Sequence, residues 1–312
     1  MGIDRARLAR LIAEQKQRFV DAHPRSRAAF ERARGSLLGG VPMNWMDRWA
    51  GGFPVVLDHA EGARATDIDG ITYVDFCLGD TGAMAGHAPA PTLRALEAQA
   101  RRGITAMLPS EDAAWVGEEL ARRFGLPKWQ FTLTATDANR FTIRLARAIT
   151  GRPKILAFNW CYHGSVDETI ATLDDHGVQQ MRPGNVLSMA AARATLSEVL
   201  TAEAYGRMIP LAGQFAAGVD AVIEATGVPW HIVRLGARAE YGFTERPPRN
   251  GGEAAAAWDR ELDEYMHLNA MNSGLLMTPF HNMALMSPAT TGADVDRHTE
   301  AFEEGVRRLL GG

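Results

Sequence analysis

Apolar and polar positions follow each other along this chain at three different spacings. From about Asp4 to Arg34 apolar residues recur at helical intervals, with Pro24 dividing the run in two and Gly35 ending it. A glycine-punctuated loop follows at residues 39–52 and holds Trp45 and Trp49. Three short runs of strand composition come next, at residues 55–60, 63–69 and 71–78, separated by Glu61-Gly62 and Asp69-Gly70. Those dipeptides are hairpin turns, so the runs predict a small antiparallel meander.

After the glycine-rich stretch 79–87 the spacing changes. Pro91 opens a helix that stops at Gly103, and Ser110 caps another with Ala113, Gly117, Leu120 and Phe124 on one face. Trp129 to Thr134 reads as a strand. Asp137 to Thr150 reads as a helix with Ala138, Phe141, Leu145 and Ile149 on its buried side, and Lys154 to Phe158 as a second strand. That order predicts a βαβ unit of a parallel sheet. Leu187 to about Ala225 is helical, interrupted near Pro210. Leu235 to Phe243 alternates at period two, with Leu235, Ala237, Ala239, Tyr241 and Phe243 on one face and Arg234, Arg238 and Glu240 on the other. A loop rich in Pro, Gly and Asn leads to a helix from Ala254 to Asn272. A last helix aligns Val295, Thr299, Phe302, Val306 and Leu309.

Composition narrows the function. With 312 residues, 46% of them hydrophobic, the chain can bury a substantial core. Its 33 basic and 37 acidic residues nearly balance, so it advertises no field for nucleic acid or anionic lipid, and small-molecule chemistry is the expectation. Cys77 and Cys161 are too few and too far apart for a disulfide framework or a zinc site, which points to a reducing compartment, the cytoplasm. The N-terminal stretch has charges every few residues and no signal-peptide core, and no run approaches the ~20 apolar residues of a membrane helix. No metal, nucleic acid or membrane is expected as a partner.

Two segments can carry chemistry. The strand-to-helix turn Thr134-Ala135-Thr136-Asp137-Ala138-Asn139 offers backbone N–H groups, a helix dipole and threonine hydroxyls to an anion; the alternative is that Thr136 only caps its helix. Asn159 to Gly164 follows the second predicted strand, at the sheet end where α/β proteins bind ligands. Tyr162 there can stack on a planar ring or pack as a loop aromatic, and His163 can act as an acid-base group or as a structural histidine.

Taken together and in order, these segments resemble the class III aminotransferases that use pyridoxal 5'-phosphate (PLP), including glutamate-1-semialdehyde aminomutases and β-amino-acid transaminases. The pattern is a GG-V loop, a D-x-DG-x-x-YxDF hairpin, a GH loop, SGTEAN opening a helix that reads RLARAxTGR, and a strand ending in YHG. Its counterparts are GGV at 39–41, DIDGITYVDF at 67–76, GH at 86–87, TATDAN at 134–139, RLARAITGR at 144–152 and CYHG at 161–164. The resemblance implies a homodimeric enzyme of PLP-dependent transferase fold type I, with sites at the subunit interface, acting on a small amino acid or amino-aldehyde. By position, Ala135 and Thr136 would contact the cofactor phosphate, and Tyr162, with His163 beside it, would lie against the pyridine ring. Ala135 stands where the family has glycine and Asp137 where it has glutamate. Trp45 and Trp49 would fall near the substrate entrance and Arg238 would anchor a carboxylate, each with a purely structural alternative.

One departure is large. Between Val186 and Leu187 the pattern skips the strands that carry the aspartate for the pyridine nitrogen, the lysine for the Schiff base and the following Gly-Thr, as an internal deletion would. The lysine tethers the cofactor and moves the α-proton, so no catalytic residue is assigned. Lys16, Lys128 and Lys154 are the only lysines. The first belongs to the N-terminal helix. The others precede or begin predicted strands whose far ends lead to the site, about 13–16 Å away at roughly 3.3 Å per residue. The expected architecture is α/β, with an N-terminal helix-and-meander part at 1–78, a truncated cofactor domain with a parallel βαβ core at 79–186, and a connecting helix with a small α+β domain at 187–312. On this reading the chain is inactive alone. Its alternative role is a truncated paralogue that binds a phosphate-bearing ligand or pairs with a full-length subunit.

Overall fold

Two N-terminal signals operate at the start of the computed structural model, which describes residues 3–104, 108–156, 164, 166, 195–279 and 281–311. The Asp4 carboxylate accepts the N–H groups of Ala6 and Arg7 and starts α1 (Arg5–Ala22), and Pro24 opens α2 (Pro24–Ala33). The chain divides into two compact units: residues 1–89, 199–247 and 257–312, and residues 90–198 with 248–256.

In the first unit the meander forms as the hairpin dipeptides require. Strands β1 (Leu57–Glu61), β2 (Arg64–Asp67) and β3 (Thr72–Asp75) pair antiparallel, and β3 takes a parallel partner in the short β6 (Leu275–Leu276). A second sheet joins β4 (His231–Leu235), β5 (Arg238–Gly242) and β7 (Met283–Leu285), all antiparallel. Helix α6 (Ala202–Thr226) presents Ala204, Met208, Ala212, Phe215, Val219, Val222 and Ile223 as one buried stripe. It packs against β4, β5 and the last helix, α9 (Gly292–Leu310), where Val295, Phe302, Val306 and Leu309 are buried as their spacing predicts. By length and apolar content α6 is the one described helix that could cross a bilayer. Its opposite face carries Glu203, Arg207, Asp220 and Glu224, all exposed, so it is amphipathic and its stripe covers a protein core. Gly218 of α6 lies where a Cβ would collide with the Thr299 side chain of α9, which is why the two helices approach so closely.

The second unit holds α3 (Ala90–Arg102), α4 (Glu111–Phe124) and α5 (Ala135–Thr150), with α7 (Gly251–Ala257) at its margin. Among the described residues it contains no strand, and Val116 and Val166 are its buried apolar side chains.

Several expectations need correction. The long strand Leu235 to Phe243 is a hairpin: Gly236, at φ +58°, reverses the chain, so Leu235 pairs with Arg238 and is 68% exposed while Ala239 and Tyr241 are buried. Helix 254–272 is two helices, because Asp259 caps α8 (Arg260–Asn272) by accepting from Leu262 N–H while its carboxylate holds Arg5. Pro210 does not interrupt α6. It lies on the exposed face with Gly206, whose carbonyl loses its helical donor there. Residues 129–134 and 154–156 join no ladder among the described residues, and 157–158 lie outside them. The face expected to be buried on α5 is open, with Phe141 51%, Leu145 59% and Ile149 81% exposed, because no described strand covers it. On α4 it is Val116 that is buried, and Phe124 is exposed.

His298, on α9, sits among Phe76, Phe215, Tyr241 and Phe302, with ring centroids 4.1 Å apart for Phe215, and its Nδ1 has no hydrogen-bond partner. Burial pushes this imidazole down to about 3, so it stays neutral. Because the folded value is depressed, the stabilisation is complete above the ordinary histidine range near 6.5 and drains as pH falls from there towards 3. Urea unfolding between pH 7 and pH 4 is therefore expected to show a loss of up to about 1.4 kcal/mol per pH unit, and His298→Phe to flatten that slope. Gly218→Val is expected to destabilise the first unit by about 1–3 kcal/mol, read from the same unfolding curves at neutral pH.

Candidate functional site

The turn that opens α5 is built by Thr134. Its hydroxyl accepts the Asp137 N–H at 3.0 Å and donates to the Asp137 carboxylate at 2.9 Å, while its carbonyl accepts from the Thr132 hydroxyl at 2.9 Å. Thr134, rather than Thr136, is thus the cap, and Thr136 is buried one residue inside the helix. Gly164 closes on this turn at φ +79°; a Cβ there would stand 2.6 Å from Thr136 Oγ1 and 3.0 Å from its backbone nitrogen. Only glycine can take that position, which accounts physically for the last residue of the CYHG segment. Ala135 is exposed at the helix start. Ala135 and Thr136 are the first two residues of α5, the end of a helix at which a phosphate can be held. Asp137 opposes this. Its carboxylate lies in the same first turn and occupies the Thr134 hydroxyl.

The other candidates are placed as follows. Tyr162 and His163 lie outside the described residues. Trp45 belongs to the short turn Asn44–Arg48 and is half-buried, and Trp49 packs against the cluster of Phe19, Phe53, Tyr73 and Leu268. Arg238 is exposed on β5 with its guanidinium 3.9 Å from the Met283 sulfur. These three belong to the first unit and the α5 turn to the second.

PLP asks for an anion cradle and an amine. The start of α5 offers N–H donors of the kind a phosphate needs, and the amine would have to come from one of the chain's three lysines. Lys16 is on α1, paired with Glu264 at 2.6 Å, and Lys128 and Lys154 are exposed at the ends of segments without a ladder. Among the described residues no cluster of His, Cys, Asp or Glu could hold a metal ion.

Motif residues that the sequence left without a role form a brace in the first unit. His23 Nε2 meets the Tyr73 hydroxyl at 2.6 Å, Tyr73 donates to Asp67 at 2.7 Å, and all three are buried. Asp67 also accepts the N–H groups of Asp69 and Ile71, which shapes the Asp-Ile-Asp-Gly turn. Asp69 reaches the start of α2 and accepts from the Arg25 and Ser26 N–H groups and the Ser26 hydroxyl. Burial works against its charge, but those hydrogen bonds outweigh burial and hold the carboxyl below its usual range. Asp75 accepts from the Leu78 N–H and meets His87 Nε2 at 2.6 Å, which ties the Gly86-His87 loop to β3. The two aspartates at a turn and a proline at a helix start were the available signals.

The whole arrangement is that of the PLP-dependent transaminase fold. A crystal structure of a glutamate-1-semialdehyde-aminomutase from Pseudomonas aeruginosa matches with a TM-score of 0.92 at 34% identity, over 99% of this chain and 100% of that one. A variant of that enzyme has been solved in complex with PMP. The β-phenylalanine aminotransferase of Variovorax paradoxus shares the fold, with a TM-score of 0.84 at 19% identity over 95% of this chain and 97% of that one. The Aminotransferase class-III family profile matches residues 45–202, and the chain belongs to that family. The glutamate-1-semialdehyde 2,1-aminomutase of Desulfitobacterium hafniense is 36% identical over 149 residues, which is 47% of this chain but only 34% of that enzyme.

Asp69→Ala is expected to remove the α2 cap and cost about 1–2 kcal/mol in urea unfolding at neutral pH. Because the folded carboxyl titrates low, the difference from the parent should be complete above about pH 4 and vanish as pH falls below it.

Proposed function

We propose that this chain carries the phosphate-binding portion of a PLP site of the class III aminotransferases and does not transfer amino groups by itself. The observation that carries the reading is the α5 turn: a helix start with Ala135 exposed, Thr136 buried and Gly164 seated on it. Family membership supports amino-group transfer or a 1,2-amino shift on a small amino acid or amino-aldehyde as the ancestral chemistry. When bound, PLP would act as an electron sink at the substrate's α-carbon. This chain's own residues would hold its phosphate through the N–H groups at Ala135 and Thr136, with Tyr162 and His163 contributing at the ring. Substrate would meet Trp45, Trp49 and Arg238. That Lys16 is held by Glu264 and that Lys128 and Lys154 are exposed supports inactivity. Homodimer assembly and a cytoplasmic location belong to the same reading, the latter supported by two widely separated cysteines.

A truncated paralogue that binds a phosphate-bearing ligand is the second reading, favoured by the cradle standing without an amine. Purified protein incubated with PLP, reduced with borohydride and mapped by peptide mass is expected to carry no adduct on any lysine. Inorganic phosphate is expected to compete with PLP for what binding there is. An adduct on Lys128 or Lys154 would overturn the inactive reading.

A further inference from the structure

The loop that leads into α7 carries chemistry of its own. Residues 245–250 are all exposed, and Asn250 is the one asparagine of the sequence that glycine follows. Glycine has no Cβ to keep the two groups apart, so the Gly251 backbone nitrogen can close on the Asn250 side-chain carbon. In the folded chain a cap opposes that approach. Asn250 Oδ1 accepts the Glu253 N–H at 3.0 Å, and Asn250 Nδ2 donates to the Glu253 carboxylate at 3.1 Å. Arg249 holds the same carboxylate, through its guanidinium at 2.9 Å and its backbone N–H at 2.9 Å. The cap closes a helix of seven residues, none of them buried, so little keeps α7 from opening.

We propose that Asn250-Gly251 is a site of spontaneous deamidation, reached when α7 opens. The Gly251 nitrogen attacks Cγ of Asn250: the N–Cγ bond forms, the Cγ–Nδ2 bond breaks, and the Gly251 proton leaves with the side-chain nitrogen as ammonia. Water then opens the cyclic imide at either carbonyl, giving aspartate or isoaspartate with no change of oxidation state. Aspartate sets a carboxylate where Nδ2 met the Glu253 carboxylate, so a hydrogen bond becomes a like-charge contact. Isoaspartate adds a carbon to the backbone, which takes the side chain out of the cap. Two other pairs with a small second residue are held shut. Asp69, before Gly70, is bound by the Arg25 and Ser26 N–H groups and the Ser26 hydroxyl. Asn272, before Ser273, donates through Nδ2 to the Gln15 carbonyl at 3.1 Å. The inference is independent of the cofactor reading, since it involves neither the α5 turn nor a lysine.

The test ages the full chain in mildly alkaline buffer beside a free peptide of residues 245–257, with peptide mapping by mass and isoaspartate read by enzymatic methyl transfer. Conversion is expected at Asn250, more slowly than in the free peptide, and isoaspartate is expected at neither 69 nor 272. Gly251→Ala is expected to slow conversion by at least about 10-fold, because its Cβ obstructs ring closure. Glu253→Ala removes the acceptor of Nδ2 and keeps the N–H that Oδ1 uses, and is expected to speed conversion by about 3-fold. Amides of α7 should exchange faster in the aged protein while those of α6 and α9 stay unchanged, which shows that parent and variants remain folded. The proposal falls if Asn250 shows no conversion when the free peptide has converted completely, or if Gly251→Ala reacts as fast as the parent. It falls equally if Glu253→Ala slows the reaction, or if residues 69 and 272 convert at the rate of Asn250, which would mark global unfolding.

Discussion

An apolar helix face must be covered by something that is neither water nor unpaired backbone, and the two units of this protein meet that requirement to different degrees. In the first unit α6 lies between α9 and the β4-β5-β7 sheet, with Gly218 letting it close on Thr299. Met208, Ala212, Phe215 and Val219 are fully buried there, and each such side chain contributes roughly 1.5–3 kcal/mol for the larger residues. In the second unit α3, α4 and α5 bury one side chain each, Thr92, Val116 and Thr136. The helices form because their local signals are sound, but the entropy of ordering them is offset by little burial.

Buried charge in the first unit is handled by networks rather than by isolated pairs. Asp67 satisfies Tyr73 and two turn N–H groups at once, and Asp69 caps α2 from across the turn. A carboxylate that accepts several backbone N–H groups regains what it loses on leaving water, which lets a hairpin of only four-residue strands hold two helices in register. The family pattern D-x-DG-x-x-YxDF is therefore an architectural brace in this chain.

The α5 turn is the counterpart in the second unit. Everything in it is local: a cap at Thr134, a buried Thr136, an acidic Asp137 and a glycine that can approach the backbone. A PLP site additionally needs an amine brought from far along the chain, and that contribution depends on strands arranged by a sheet. The three lysines present are attached to a helix of the other unit or to segments without a ladder.

Local structure was readable from the residues alone. Pro24, the two hairpin dipeptides, the helix start after Ser110 and the stripe of α9 all appear where spacing and turn chemistry place them, because each depends on neighbours within a few residues, although the Ser110 side chain makes no capping hydrogen bond. The turn that opens α5 was legible only in part, since the helix begins at Ala135 and its cap is Thr134 rather than Thr136. What tertiary structure decided was which apolar faces are covered. Spacing marked Phe141, Leu145 and Ile149 as a buried face as plainly as it marked Val295, Phe302 and Val306, and only the second set is buried. The hairpin at Gly236 and the break at Asp259 also lay beyond the pattern, the first because a two-residue turn hides within an alternating run, the second because Arg5 comes from more than two hundred and fifty residues away. Periodicity reports what a segment needs to bury; whether anything is there to bury it against is a property of the assembled chain.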